Sequence, residues 1–269
     1  MTSPLQHASM GVLKPTEAEK RFQLLRFPPS PELAPFVKHY WIVSWNLGEG
    51  VHYGQDVIPN PCVNMVAEHS GIAVYGVSSR MYTKHLEGAG RAFGVKFHPG
   101  GFYPYIKQPL SSLTDSSMSM MDAFGTEGES LLSALRSGET PEILIDHADR
   151  LLRDALPEQD PISAVILEII TYIQQNRDVT RVEQLSAYFG LHVRKLQRLF
   201  HKYAGVSPKW VIQLYRLHNA AEMLDRGEAD DWAKLSAELG FFDQSHFIRA
   251  FKAMLGMTPD SYYSIPAES

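Results

Sequence analysis

The 269-residue sequence predicts an α+β multidomain protein: a β-rich N-terminal domain, a small barrel or sandwich, followed by an all-α C-terminal domain. Three observations predict it. The first half carries short runs rich in Val, Ile and aromatic residues, bounded by Gly, Pro or Asn. The second half shows sustained 3.6-residue periodicity with legible helix caps. Within that second half, one helix-turn-helix pattern recurs after about 52 residues, a period that marks an internal repeat.

In chain order, the β-type runs are Phe36–Trp45, Val63–Ala67, Ile72–Val77 and Ala92–Phe97. Residues 1–128 are therefore assigned to the β-rich, sensor-type domain. From Glu129 the pattern turns helical through Leu131, Leu132, Leu135, Ile143, Ile145, Leu151 and Leu152, which makes 129–160 a helical connector. Asp160-Pro161 supplies an N-cap and a first-turn proline. It opens the C-terminal domain, 161–269, with an apolar stripe of Ile162, Val165, Ile166, Ile169 and Ile173.

Thr180-Arg-Val-Glu183 has the spacing of a capping box, and Gly190 supplies the stop of the helix that follows. Over His192–Tyr203, Val193, Leu196, Leu199, Phe200 and Tyr203 share one helical face. Arg194, Gln197, Arg198 and His201 lie opposite, with Lys195 and Lys202 on a flank, so this helix has four basic residues and no acid. Helix, short Gly turn and basic-faced helix make a helix-turn-helix unit at about residues 181–203. Ser207-Pro208 then opens a long helix to about Arg226, closed by Gly227. A second unit follows at about 232–256, with Gly240 in its turn and Asp243 as N-cap. Phe247, Phe251, Met254 and Leu255 face inward there, and Ser245, His246, Arg249 and Lys252 outward. The linking helix, about 28 Å long at ~1.5 Å per residue, nearly matches one turn of B-DNA, about 34 Å. It can therefore set two reading helices into successive major grooves.

The formal net charge is −5, from 25 basic and 30 acidic side chains, which argues against indiscriminate coating of nucleic acid. Its distribution matters more, because residues 1–160 carry that whole excess and residues 161–269 are neutral overall. Cys62 is the sole cysteine, which rules out an internal disulfide and a cysteine-based zinc finger and fits a reducing cytoplasm. Nothing in the sequence gives Cys62 the depressed pKa and exposure of a redox sensor. No apolar run reaches the length of a membrane span, and the first twenty residues lack a signal-peptide core.

The motifs Leu185-Ser-Ala, Leu196-Gln-Arg-Leu-Phe200, Gly205-Val-Ser-Pro208, Leu235-Ser-Ala-Glu-Leu-Gly-Phe241, Gln244-Ser-His-Phe247-Ile-Arg-Ala-Phe251 and Gly256-Met-Thr-Pro259 resemble the AraC/XylS family of bacterial transcription regulators, in spacing as well as residue type. The resemblance covers about residues 162–265. It implies a seven-helix DNA-binding domain in which the second helix of each unit enters the major groove. Base-reading positions then fall on Arg194, Gln197 and Arg198, and on Gln244, Ser245 and Arg249. His192 stands where the family has a small capping residue, and Ile248 where it often has a polar one, so the second unit is expected to read DNA less stringently. Val95-Lys-Phe-His-Pro-Gly-Gly101 and Ile58-Pro-Asn-Pro-Cys62 resemble the sensor domain of one subgroup. They imply a small-molecule effector without naming it or its binding residues. The family also implies RNA polymerase as a partner, suggests an activator, and leaves room for a homodimer.

Arginine donates bidentately to guanine and glutamine pairs with adenine, which suits Arg194, Gln197 and Arg198 to base edges. Lys195, Lys202 and Lys252 are assigned to phosphates, which position the domain without specifying sequence. The bland reading of these side chains is a solvated helix face. His52, His69, His85 and His98 lack the close spacing of metal ligands, so no metal and no cofactor is expected, and His98 reads as a turn residue. Tyr40, Trp41, Trp45, Tyr53 and Tyr75 either line a pocket or fill a β core. The function expected is a cytoplasmic, sequence-specific transcription regulator that binds double-stranded DNA, with no catalysis. The alternatives are a cupin-like enzyme with an appended DNA-binding domain, and a scaffold whose helix-turn-helix units bind protein.

Overall fold

The computed structural model describes residues 21–227 and 231–264. Eight strands lie in the N-terminal part: β1 (Phe22–Phe27), β2 (Val37–Asn46), β3 (His52–Val57), β4 (Asn64–Glu68), β5 (Gly71–Tyr75), β6 (Tyr82–Glu87), β7 (Ala89–Phe97) and β8 (Ser117–Ser119). Six form an antiparallel sheet in the order β1-β2-β7-β4-β5-β8, and β3 pairs with β6 in a separate two-stranded ribbon. The four expected β-runs correspond to β2, β4, β5 and β7. Of the other four strands, β3 and β6 carry polar, weakly alternating sequence, HYGQDV and YTKHLE, which gives no strand signal before its partner is known, whereas β1 is a largely apolar FQLLRF and β8 only three residues long.

Alternation assigns the two faces of the sheet. Tyr40 and Ile42 on β2, Met65 and Ala67 on β4, and Phe93, Val95 and Phe97 on β7 are buried in the main core. Onto this face pack α1 (Tyr103–Ile106), α2 (Met120–Phe124), α3 (Glu129–Arg136) and α4 (Pro141–Asp154). The segment 129–160 thus lies against the sheet. Tyr40 donates from its hydroxyl to Asp149 of α4, and Arg153 pairs with the same carboxylate at 3.3 Å. A buried carboxylate needs such partners. Arg136 of α3 fixes the β4–β5 turn by donating twice to the His69 carbonyl, at 3.0 and 2.9 Å.

The C-terminal part contains seven helices among the described residues: α5 (Pro161–Gln175), α6 (Val182–Phe189), α7 (Val193–Tyr203), α8 (Pro208–Asp225), α9 (Trp232–Glu238), α10 (Gln244–Leu255) and α11 (Pro259–Tyr263). Asp160 caps α5 by accepting from the Ile162 amide, Ser207 caps α8, and Asp243 caps α10. The start of α6 differs from expectation. The box is closed by Gln184, whose Oε1 accepts from the amides of Thr180 and Arg181 at 2.9 Å each; Arg181 is the N-cap and Glu183 takes no part. Gln184 lies three residues after Arg181, which is the reach a capping box requires.

The two helix-turn-helix units are held differently. Leu185, Leu196, Phe200, Val211, Ile212 and Tyr215 belong to the same continuous core as the sheet. Leu235, Phe241, Phe247, Phe251, Met254 and Leu255 form a second core with Leu214, Leu217 and Leu224 of α8. Only Ile58, among the buried residues of that second core, comes from the β-rich part.

Candidate nucleic-acid interface and ligand cavity

On α7, Leu196, Phe200 and Tyr203 are buried, whereas Arg194, Lys195, Gln197, Arg198 and His201 are exposed. A helix of eleven residues thus presents three cations and a glutamine to solvent with no carboxylate of its own. His192 caps it in an unusual way: the ring Nδ1 accepts from the Arg194 amide at 3.3 Å, standing in for a short oxygen side chain. On α10, Gln244, Ser245, His246, Arg249 and Lys252 are exposed and Ile248 is half-buried against the second core. The positions read from the sequence as base-facing therefore all lie on open helix surface.

Lys202 sits elsewhere. Its ammonium lies 4.9 Å from the ring centre of Tyr103 on α1 and 5.3 Å from that of Tyr203, a cation–π arrangement that ties the first reading helix to the β-rich domain. Tyr203 donates to Asp160 at 3.0 Å, and Thr114 donates to the Gly205 carbonyl at 2.7 Å across the same boundary. Gly205 has φ +76° and its missing Cβ would meet the Leu110 carbonyl at 2.9 Å, so the turn after α7 needs glycine for both conformation and approach.

The linking helix α8, 18 residues and so about 27 Å long at ~1.5 Å per residue, also touches the β-rich domain. His218 donates to the Pro59 carbonyl, and burial holds its imidazole down at about 4, so it is neutral at pH 7. Trp210 donates to the Ser79 carbonyl at 3.2 Å. The amide of Met81 donates to the Met254 carbonyl at 2.9 Å, near the end of α10.

The segments that meet α8 and α10 also border a cavity of about 690 Å³ between the six-stranded sheet and the β3–β6 ribbon. Its walls are the second face of the sheet: Leu24 and Arg26 of β1, His39, Trp41, Val43 and Trp45 of β2, Asn64, Val66 and Glu68 of β4, and Ala92 and Lys96 of β7. Glycines shape this wall. In register, Trp41 faces Gly94 and Trp45 faces Gly90, and a Cβ on either glycine would fall 2.0–2.2 Å from the opposing indole. The two indoles therefore lie flat over glycine backbone.

Of the aromatics weighed between pocket and core, Trp41, Trp45 and Tyr75 line the cavity, while Tyr40 belongs to the main core and Tyr53 packs beside Phe22 and Leu86. The sequence reading missed Arg26, His39, Lys84 and Lys96 in the lining. The available signal was the period-2 pattern of Ala92-Phe-Gly-Val-Lys-Phe97, which puts Lys96 on the face of Gly94 rather than of Phe93 and Phe97. Cys62 is buried, and desolvation pushes its thiol up.

A β-rich domain fused to two helix-turn-helix units with exposed, basic second helices defines a helix-turn-helix protein with a ligand-sized N-terminal cavity. Residues 185–264 match a family described as "Helix-turn-helix domain", and residues 25–119 match one described as "Domain of unknown function (DUF6597)". An uncharacterized HTH-type transcriptional regulator of Haemophilus influenzae is 27% identical over 94 residues, covering 35% of this chain and 31% of that protein. The F1 operon positive regulatory protein of Yersinia pestis is 34% identical over 100 residues, covering 36% of this chain and 33% of that protein. The matches thus span about a third of each curated relative. ToxT from Vibrio cholerae superposes with a TM-score of 0.39 at 12% identity, covering 90% of this chain and 98% of that one. Residues 185–264 of the chain are therefore a helix-turn-helix domain. Among the described residues no helix is long and apolar enough to cross a membrane.

Proposed function

We propose that this protein is a sequence-specific, DNA-binding transcription regulator whose N-terminal domain senses a small molecule. In this reading α7 and α10 enter successive major grooves of one duplex. Arg194, Gln197 and Arg198 read the first half-site, and Gln244, Ser245 and Arg249 the second, with guanine and adenine edges as the targets of the arginines and glutamines. Lys195 and Lys252 meet phosphates. Lys202, held over Tyr103 and Tyr203, keeps N–H donors for a phosphate while it reports the position of the sensor domain. The observation that carries the reading is the exposed face of α7, cationic and free of carboxylates, repeated in weaker form on α10 beyond a linking helix of 18 residues.

Control follows from how the domains join. The first unit shares the core of the sheet, whereas the second depends on α8 and on the contacts of Ile58, Pro59 and Met81. Ile58 and Pro59 also line the cavity, so a ligand that favours one arrangement of this segment shifts the geometry of the second reading helix. We assign the protein to the cytoplasm, where its DNA lies, and take RNA polymerase and a second copy of the chain as partners at a promoter. No catalytic role is assigned.

The deciding measurement is fluorescence anisotropy of the full chain with a labelled duplex from the region upstream of its own gene, at several salt concentrations. Specific binding whose logarithm falls linearly with log salt supports the reading, because neutralised phosphates release counterions. Binding that ignores salt, or that does not discriminate this duplex from a scrambled one, would overturn it.

A further inference from the structure

We propose that the N-terminal cavity is built for a small organic anion, with Lys96 taking the charged group and Trp41 and Trp45 the apolar body. The proposal deepens the sensor reading by naming the ligand class.

Lys96 lies near the end of β7, enclosed by protein, and its remaining accessibility is to the cavity it lines. Among the described residues no carboxylate pairs with it. The two carboxylates of the lining are already engaged: Glu68 pairs with Lys84 at 2.5 Å, and Asp115 accepts from the amide and hydroxyl of Ser79 at 2.6 Å each. Arg26 adds a second cation to the same lining. His39, also in the lining, is kept neutral by burial beside Lys96 and Arg26, with its imidazole at about 3. Burial pushes the Lys96 ammonium down; the neighbouring Cys62 opposes that shift, the cations Lys38 and Arg26 add to it, and no carboxylate among the described residues offsets it.

An ammonium enclosed in this way, with no carboxylate beside it among the described residues, costs free energy, since a buried charge is tolerated when paired and hydrogen-bonded. An anion arriving in the cavity supplies the pair. One stretch of the lining is apolar and flat, with Leu24, Val43 and Val66 beside the two indoles, and suits a ring or short chain. A volume of about 690 Å³ lies within the roughly 300–1,000 Å³ of small-molecule sites.

The test uses two probes that share an aromatic body, 8-anilinonaphthalene-1-sulfonate and the uncharged N-phenyl-1-naphthylamine, titrated by calorimetry and fluorescence into the full chain without DNA. The wild type is expected to bind one sulfonate probe per chain, at least tenfold more tightly than the neutral one. Lys96→Met should lose that preference while binding the neutral probe as before, and Lys96→Arg should keep it. Lys96→Met should also melt at the same temperature as the wild type or higher, because it removes an unpaired charge. Equal affinity of the wild type for both probes, an unchanged preference in Lys96→Met, or parallel loss of both probes would overturn the proposal. The probe comparison on the wild type stands even if a variant folds poorly. Failure here would leave the sensor reading intact, since that reading fails only if no small molecule alters DNA affinity.

Discussion

The Met81 amide donates to the Met254 carbonyl at 2.9 Å, which joins the segment before β6 to the last turn of the second reading helix. The sulfur-bearing arm of Met81 also lies where a Cβ on Gly256 would stand, 2.6 Å from its terminal methyl carbon. This contact is made by the backbone at the end of α10, so it acts on the placement of the helix rather than on its exposed side chains. Met81→Pro removes the donor, worth about 1 kcal/mol. Amide exchange in the last turn of α10 should quicken by roughly fivefold, with Met81→Leu, which keeps the amide donor and an apolar side chain on the second core, changed little; hydrogen–deuterium exchange with mass spectrometry checks it. Equal exchange in both variants would show that the bond does not hold α10.

Arg198→Ala should lower affinity for a specific site by about 1–3 kcal/mol and relax selection at one base pair, whereas Lys195→Ala should weaken all sequences alike and reduce the salt slope by about one. Anisotropy titrations on a matched set of single-base variants separate the two. If Lys195→Ala changes base preference and Arg198→Ala does not, the roles are reversed.

Gly94 lies under the Trp41 indole, with 2.0 Å between its missing Cβ and the ring. Gly94→Val must expel the indole from the cavity wall, at a cost of about 1–3 kcal/mol. A lower melting temperature with red-shifted tryptophan emission is expected. Gly50→Ala, where nothing lies within 4 Å but φ is +73°, should cost backbone strain alone and leave the emission unmoved.

Burial holds His98 and His218 at about 4 and His39 at about 3, against 6.5 when unfolded. These folded values lie below the unfolded one. Their stabilising contribution is thus complete above pH 6.5 and is lost as the pH falls through the folded values. The loss reaches about 1.4 kcal/mol per pH unit for each group. Denaturant midpoints should therefore drop between pH 6.5 and 4, and His218→Gln should flatten the profile. A midpoint independent of pH over this window would contradict the burial of all three.

The C-terminal domain was far more legible in sequence than the N-terminal one. Its helices announce themselves through local chemistry, since Asp160, Ser207 and Asp243 cap by bonding amides two or three residues away. The capping box before α6 shows the limit of that legibility. Thr180 and Glu183 had the right spacing, but Gln184 won because it reaches two amides and the Asp178 carbonyl together. Strands β3 and β6 were invisible because their burial comes from each other and from the sheet beneath.

By itself the sequence determined the two-part architecture, the duplicated helix-turn-helix and the open cationic face of α7, all properties of residues within a few turns of one another. Tertiary structure alone decided the rest. It drew Lys202 onto Tyr103, set His218 against Pro59, and enclosed Lys96 away from any carboxylate among the described residues. The physical reason is separation. A helical face is fixed by a 3.6-residue period, but whether a lysine finds a counter-ion depends on strands and helices distant in the chain, and only packing brings them together.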